Sequence, residues 1–402
     1  MSEPGLSPEP STRRRFFSLE LLDNRYPALH GMRVLAILSV LQIHVTYILS
    51  GDFVGKRNDY LDGRWIKESY WIFFGMDLFF MLSGFLIGSI LLRSLELEGT
   101  QNIRRFYLRR VFRTFPSYWV VLTVLALTIP LTVMQRHNLP LEYVYGTNFA
   151  SLKPQTVTMV WGWSLAVEEQ FYLTVPLLFF VLYRLKRDSH RFTLLVSLWA
   201  LAPIIRLVIY LRGAPWDYVK LHLALYFRTH TRFDTLVAGI LLVFVHRRYG
   251  DAITTWFERP LHRAYVGMLT LACIWFLHDP TVFAPKSPML PYVFAWGTVT
   301  SIMYFGPVLM LLSGKGWVAG VLSAPVFRRL ATLGYGVYLV HMPFVHYALM
   351  PFVRTLHRRG VSMVVLWSGA FVAVVVASLA LSYALHVFVE KPSLRIRQRV
   401  AA

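Results

Sequence analysis

The sequence predicts an all-α integral membrane protein, a polytopic bundle of about ten transmembrane helices with both termini in the cytoplasm. Three observations lead there. The 402-residue chain is 56% hydrophobic, with a mean hydropathy of +0.49; soluble domains are roughly 45–50% apolar. Apolar stretches long enough to span a bilayer recur from end to end. The Lys and Arg residues behind the formal charge of +20 gather in alternate loops, the pattern of positive-inside topology.

The spans are expected at roughly 31–50, 70–92, 115–134, 158–183, 192–211, 232–247, 264–278, 292–313, 328–352 and 362–389. Basic segments around 13–15, 104–113, 184–191, 247–263, 328–329 and 391–399 then face the cytoplasm. Residues 1–25, rich in Ser, Pro and Glu, read as a mobile cytoplasmic tail. Residues 26–395 read as the membrane domain and 396–402 as a short cytoplasmic C-terminal tail. No small-residue cleavage pattern accompanies the first apolar run, so no removed signal peptide is expected. Outer loops at about 51–69, 135–157 and 212–231 are long enough to carry recognition, and a Pro-rich outer turn lies near 284–288. The charge reads as topology rather than nucleic-acid binding, because no folded module sets exposed aromatics between the cations. Cys273 is the only cysteine, which excludes an intramolecular disulfide and a CxxC metal or redox site.

Polar residues inside the spans carry the functional signal, because ionisable groups at that depth are expensive and usually line a cavity. Arg33 and His44 stand eleven residues apart in the first span. That is close to three helical turns, so both fall on one face, roughly 16 Å apart along the axis. Arg33 then sits near the cytoplasmic surface and His44 deep inside. Asp77, in the antiparallel second span, reaches a similar depth. It could accept a hydrogen bond from one imidazole nitrogen of His44 and leave the other as a base, or it could anchor its own helix in a watery vestibule.

The fourth span holds Trp161, Ser164, Glu168, Glu169 and Tyr172. Trp161, Ser164 and Glu168 share one face, and Glu169 and Tyr172 an adjacent one. Carboxylates there must pair, take up protons or border water; they suit a proton relay or hydroxyl binding, and otherwise serve as interhelical glue. Arg232 and Asp234 open the sixth span as either an interfacial salt bridge or a grip on the polar end of an acceptor. His341 shares a face with Tyr338 in the ninth span and is either structural or functional. Arg109, Arg110 and Arg113 suit a polyphosphate or a lipid head group, or serve topology alone. HExxH, P-loop and GxSxG motifs are missing, so no metal site is expected and a histidine base is the simplest chemistry.

Seven stretches in order resemble the membrane-bound acyltransferase-3 family, which includes O-antigen and exopolysaccharide acetylases and macrolide acyltransferases. They are Leu29 through Arg33 to His44; Gly75 to Ile87; Phe106 to Pro116; Trp163 to Tyr172; Arg232 to Gly239; Gly334 to His341; and Phe388 to Pro392. The family's arginine, ten residues and histidine motif falls on Arg33 and His44, and its basic loop motif on Arg109, Arg110 and Arg113. The resemblance implies transfer of an acyl group, often acetyl, from cytoplasmic acyl-CoA to a hydroxyl. Acyl-CoA would be a co-substrate, with no tightly bound cofactor. The acceptor would be a sugar polymer, a lipid-linked glycan or a glycosylated small molecule, and the location a bacterial inner membrane.

On this reading His44 acts as general base or acyl carrier and Asp77 orients it. Arg33, Arg109, Arg110 and Arg113 bind the donor. Glu168, Glu169, Ser164, Tyr172, Arg232, Asp234 and His341 bind the acceptor or relay protons. A transporter of a polar lipid or acylated compound would also carry intramembrane charges and Gly-rich helices. An accessory scaffold for a polysaccharide synthase is a third reading.

Overall fold

The computed structural model describes residues 18–50, 74–98, 102–150, 152–153, 155–213, 215–216, 218–278 and 290–400. Among them every regular element is helical, and nine helices are long and apolar enough to cross a membrane. The protein is thus an all-α, multi-pass membrane protein. The expected loop at 51–69 and the Pro-rich turn near 284–288 lie outside the described residues.

Helix α1 (Pro27–Ser50) runs beside α2 (Gly75–Glu98). Next, α3 (Ile103–Thr128) starts a dozen residues before the expected third span, so the basic stretch expected as a loop is instead helix. Asn102 starts it by accepting the Arg105 N–H at 2.9 Å. This N-cap satisfies one of the orphan donors of the first turn. A short helix, α4 (Val133–Tyr143), opens on a capping box in which Thr132 and Gln135 bond reciprocally. It leads to α5 (Gly162–Arg184), and α6 (Asp188–Arg212) follows.

The loop expected at 212–231 contains two short helices, α7 (Tyr218–Leu225) and α8 (Thr229–Arg232). The sixth expected span is the helix α9 (Asp234–Glu258). Its first half is buried, but Arg247, Arg248, Asp251 and Glu258 keep it apart from the nine apolar spans. It crosses α2 with little space between backbones. A Cβ on Gly84 would stand 2.0 Å from the Leu236 carbonyl oxygen, and one on Gly239 would stand 2.2 Å from that of Met81. Only glycine fits either place.

Helix α10 (Pro260–His278) precedes a broken span. That span joins α11 (Leu290–Phe294) to α12 (Thr300–Leu312) through a wide turn at Ala295–Val299. Gly297 takes φ +89° in that turn, a conformation that side chains rarely allow. After α13 (Trp317–Leu322) comes α14 (Pro325–Pro343), continued by α15 (Met350–Arg358). The last span, α16 (Met363–Leu385), continues into α17 (Lys391–Val400).

The core lies between α1, α2, α5, α9 and α14, where Leu41, Phe80, Phe85, Phe179, Leu236 and Leu339 are fully buried. Apolar side chains such as Leu211, Leu271 and Val372 point outward from α6, α10 and α16, as lipid contact requires. Of the tail expected over 1–25, residues 1–17 lie outside the described residues. Residues 18–25 run as an extended strap before α1. Lys391 donates to the Ser18 carbonyl at 2.7 Å, and Arg328 donates to the Leu22 carbonyl at 2.7 Å. Most of the expected 396–402 tail is the end of α17, which Ser393 ties to the Phe112 carbonyl of α3.

Candidate active site

Arginines from separate helices converge on one cavity of about 900 Å³. The early start of α3 sets Arg109, Arg110 and Arg113 on consecutive turns facing it, and Arg33 enters from α1. Arg397 of α17 and the strap from Glu20 to Arg25 complete its wall. Such a concentration of guanidinium groups binds phosphate oxygens well, because the planar fork donates two parallel hydrogen bonds. Arg110 also stacks on Tyr172, 5.3 Å from the ring centre, which fixes where its charge lies.

Glu168 lines the same cavity. Its carboxylate accepts hydrogen bonds from the hydroxyls of Ser83 and Tyr172. Beyond it lies a second space of about 10 Å³, lined by Ile37, Phe79, Phe80, Ser164, Glu168 and Tyr338. Glu168, Ile37 and Phe79 border both spaces. Ser164 Oγ meets the Tyr338 hydroxyl at 2.5 Å, and that hydroxyl lies 2.9 Å from the Trp161 carbonyl oxygen. One helical turn along α14 from Tyr338 is His341. Its Nε2 lies 2.8 Å from Nδ1 of His44.

Arg33, Arg109, Arg110, Arg113, Glu168 and Tyr172 thus line the large cavity, and a chain of contacts from Ser164 through Tyr338 and His341 reaches His44. Glu169, next to Glu168 on the helix, is not among the residues lining the cavity.

Two expectations need correction. Asp77 does not orient His44. Its Oδ1 bonds Nη2 of Arg232 at 2.6 Å, with both side chains fully buried. Depth alone placed Asp77 near His44, but its side of α2 faces α8 and α9, and a buried carboxylate goes to the nearest buried cation. Arg232 and Asp234 do not pair with each other at an interface. Asp234 instead receives Nη2 of Arg206 at 2.8 Å, again with both fully buried. Arg206 further donates to the carbonyls of Val293 and Thr231, each at 2.6 Å. It thereby clamps α6, α8, α9 and the broken span together.

Arg206 went unread although its signal is plain: one arginine within the apolar run Leu201 to Tyr210. Ser83 belongs to the site as well. Its signal was its neighbourhood, three residues from the buried Phe80 and six from Asp77.

A family model described as an acyltransferase domain matches residues 26–387. A Staphylococcus aureus protein named provisionally as an O-acetyltransferase is 24% identical over 349 residues, covering 83% of this chain and 52% of its own length. The peptidoglycan O-acetyltransferase OatA of Listeria monocytogenes is 24% identical over 339 residues, covering 79% and 49%. A Bacillus subtilis protein named provisionally as a peptidoglycan O-acetyltransferase is 26% identical over 395 residues, covering 92% and 55%. The chain thus spans about half the length of the curated relatives it matches. No solved structure matches it at a significant level. The match across most of its length places this chain in the acyltransferase-3 family.

Proposed function

We propose that the protein is a membrane O-acyltransferase that moves an acyl group, acetyl first among candidates, from acyl-CoA to a carbohydrate hydroxyl. The observation that carries this reading is the arginine-lined cavity that holds Glu168, linked through Ser164 and Tyr338 to the His44–His341 pair. Arg109, Arg110, Arg113 and Arg33 hold the phosphates of the donor, and its thioester arm passes Glu168. The acceptor hydroxyl meets the thioester carbonyl beside His44. His44 takes the hydroxyl proton as the C–O bond forms. The C–S bond then breaks, the proton passes to the departing sulfur, and an ester and a free thiol leave.

The relatives' names make a peptidoglycan-type glycan the first acceptor to try. Basic-loop topology would put the arginine cavity on the cytoplasmic side of a bacterial inner membrane and the acceptor on the other. The test is thiol release from acetyl-CoA by the purified full chain in detergent or nanodiscs, with and without a soluble N-acetylglucosamine oligomer. Release that requires the oligomer, with ester formed on it, is the expected result. Oligomer transport without thiol release would favour the transporter reading instead.

A further inference from the structure

The hydrogen bonds around the histidine pair fix which nitrogen of His44 can act. His341 Nδ1 lies 2.7 Å from the carbonyl oxygen of Tyr338, three residues back on its own helix. A carbonyl oxygen only accepts, so Nδ1 of His341 carries the hydrogen. In the neutral ring, Nε2 of His341 then holds a lone pair. That nitrogen faces Nδ1 of His44 at 2.8 Å, so Nδ1 of His44 is the donor and its proton-accepting nitrogen is Nε2. The two rings are inclined by only 15°, with centroids 5.0 Å apart. That separation is close to the bond length plus two ring radii, so the bond runs along the line between the rings, as a strong one should.

We propose that His341, held by the Tyr338 carbonyl, is a positioning residue that fixes the tautomer of His44 and presents Nε2 of His44 as the base. The role is the one a carboxylate fills in a serine-hydrolase triad, here filled by a neutral imidazole. Charge explains the difference. The buried carboxylates Asp77 and Asp234 are each bonded to an arginine, and a further buried anion at the reacting centre would be expensive inside a membrane. A neutral partner adds no charge to the resting site. When Nε2 of His44 takes the acceptor's proton, the Nδ1–H bond to His341 becomes charge-assisted and strengthens. Stabilisation thus appears mainly in the transition state, where it accelerates the reaction. Tyr338 contributes twice, its carbonyl to His341 and its hydroxyl to Ser164 and Trp161. This assignment rests on the acyl-transfer reading above.

The direct test is ¹⁵N NMR of the full chain with labelled histidine in nanodiscs, His44 being identified by its loss in a His44→Gln variant. The expected spectrum shows Nδ1 of His44 protonated and Nε2 unprotonated. The opposite tautomer overturns the assignment whatever the reaction proves to be. Kinetics with acetyl-CoA and the N-acetylglucosamine oligomer give a second test. His341→Gln can place an acceptor oxygen near the lost Nε2, whereas His341→Leu cannot. The leucine variant should lose roughly 100-fold or more in kcat with KM for acetyl-CoA unchanged, and the glutamine variant should recover about tenfold of that loss. Equal rates for the two, or a loss confined to KM, overturn the positioning role. Absence of acetyl-CoA-dependent thiol release by the natural chain would instead overturn the acyl-transfer reading while leaving the tautomer measurement intact, so the two failures are distinguishable.

Discussion

At the scale of single residues, buried charge governs what each polar side chain can do. Asp77 and Arg232 are fully buried partners. Removing one leaves the other uncompensated, at a cost of about 3–5 kcal/mol. Asp77→Leu and Arg232→Met should each lower the thermal midpoint in detergent sharply, and the double variant should be more stable than either single one. Additive losses would show that the pair is not coupled. Glu142 makes a second case, on the short helix between membrane spans. Its carboxylate accepts the N–H groups of Thr158 and Met159 at 2.7 and 2.8 Å. Burial still pushes its carboxyl above the ordinary value of 4.5.

The folded state therefore holds the Glu142 proton more tightly than the unfolded chain does. The contribution is full in acid and declines as pH rises from about 4.5 toward the raised value. Glu142→Gln removes that titration, so the stability of the natural chain should fall relative to the variant over that interval. Parallel pH profiles would contradict it. The polar character of Asp77 and Arg232 was legible in the sequence, but their pairing was not, and Glu142 carried no signal of its own. Position along the chain sets the depth of Asp77 but not its direction around the helix axis, and direction decides between His44 and Arg232.

At the scale of elements, two features set the site. The first is α3, whose early start turns an expected loop into a helix and aligns Arg109, Arg110 and Arg113 along the cavity. A charged hydrogen bond contributes about 1.5–3 kcal/mol. Arg110→Ala should therefore raise KM for acetyl-CoA on the order of tenfold or more while kcat changes little. An unchanged KM would remove the cavity from donor binding. The second is the glycine crossing of α2 and α9. Gly84→Ala places a Cβ against the Leu236 carbonyl, and overpacking of this kind costs about 1–3 kcal/mol. The variant should unfold at a lower temperature in detergent, and a midpoint equal to that of the natural chain would contradict the close contact. The helices themselves were legible because their apolar runs are long. The boundary of α3 was not, since arginines that read as a cytoplasmic loop also suit a helix with a basic face.

At the scale of the whole molecule, the bundle separates an arginine-rich cavity, with Glu168 on its wall, from a histidine pair by about three turns of α1. The fold class and the outline of this arrangement followed from hydropathy, the Arg33–His44 spacing and the ordered motifs. The pairing of His44 with His341 did not, because it joins α1 to α14 across 297 residues, and no local pattern encodes which face of one helix meets another. The strap at 18–25 was likewise hidden. It has the composition of a tail, and only the long-range bonds from Lys391 and Arg328 place it at the cavity wall. In the proposed mechanism His44 carries the transfer. That role is tested most directly by measuring acceptor-dependent thiol release from acetyl-CoA for His44→Ala alongside the natural chain, both checked for equal membrane insertion and thermal midpoint. Transfer should fall by at least about 100-fold in a variant that remains folded. Transfer at the natural rate by that folded variant would contradict that role.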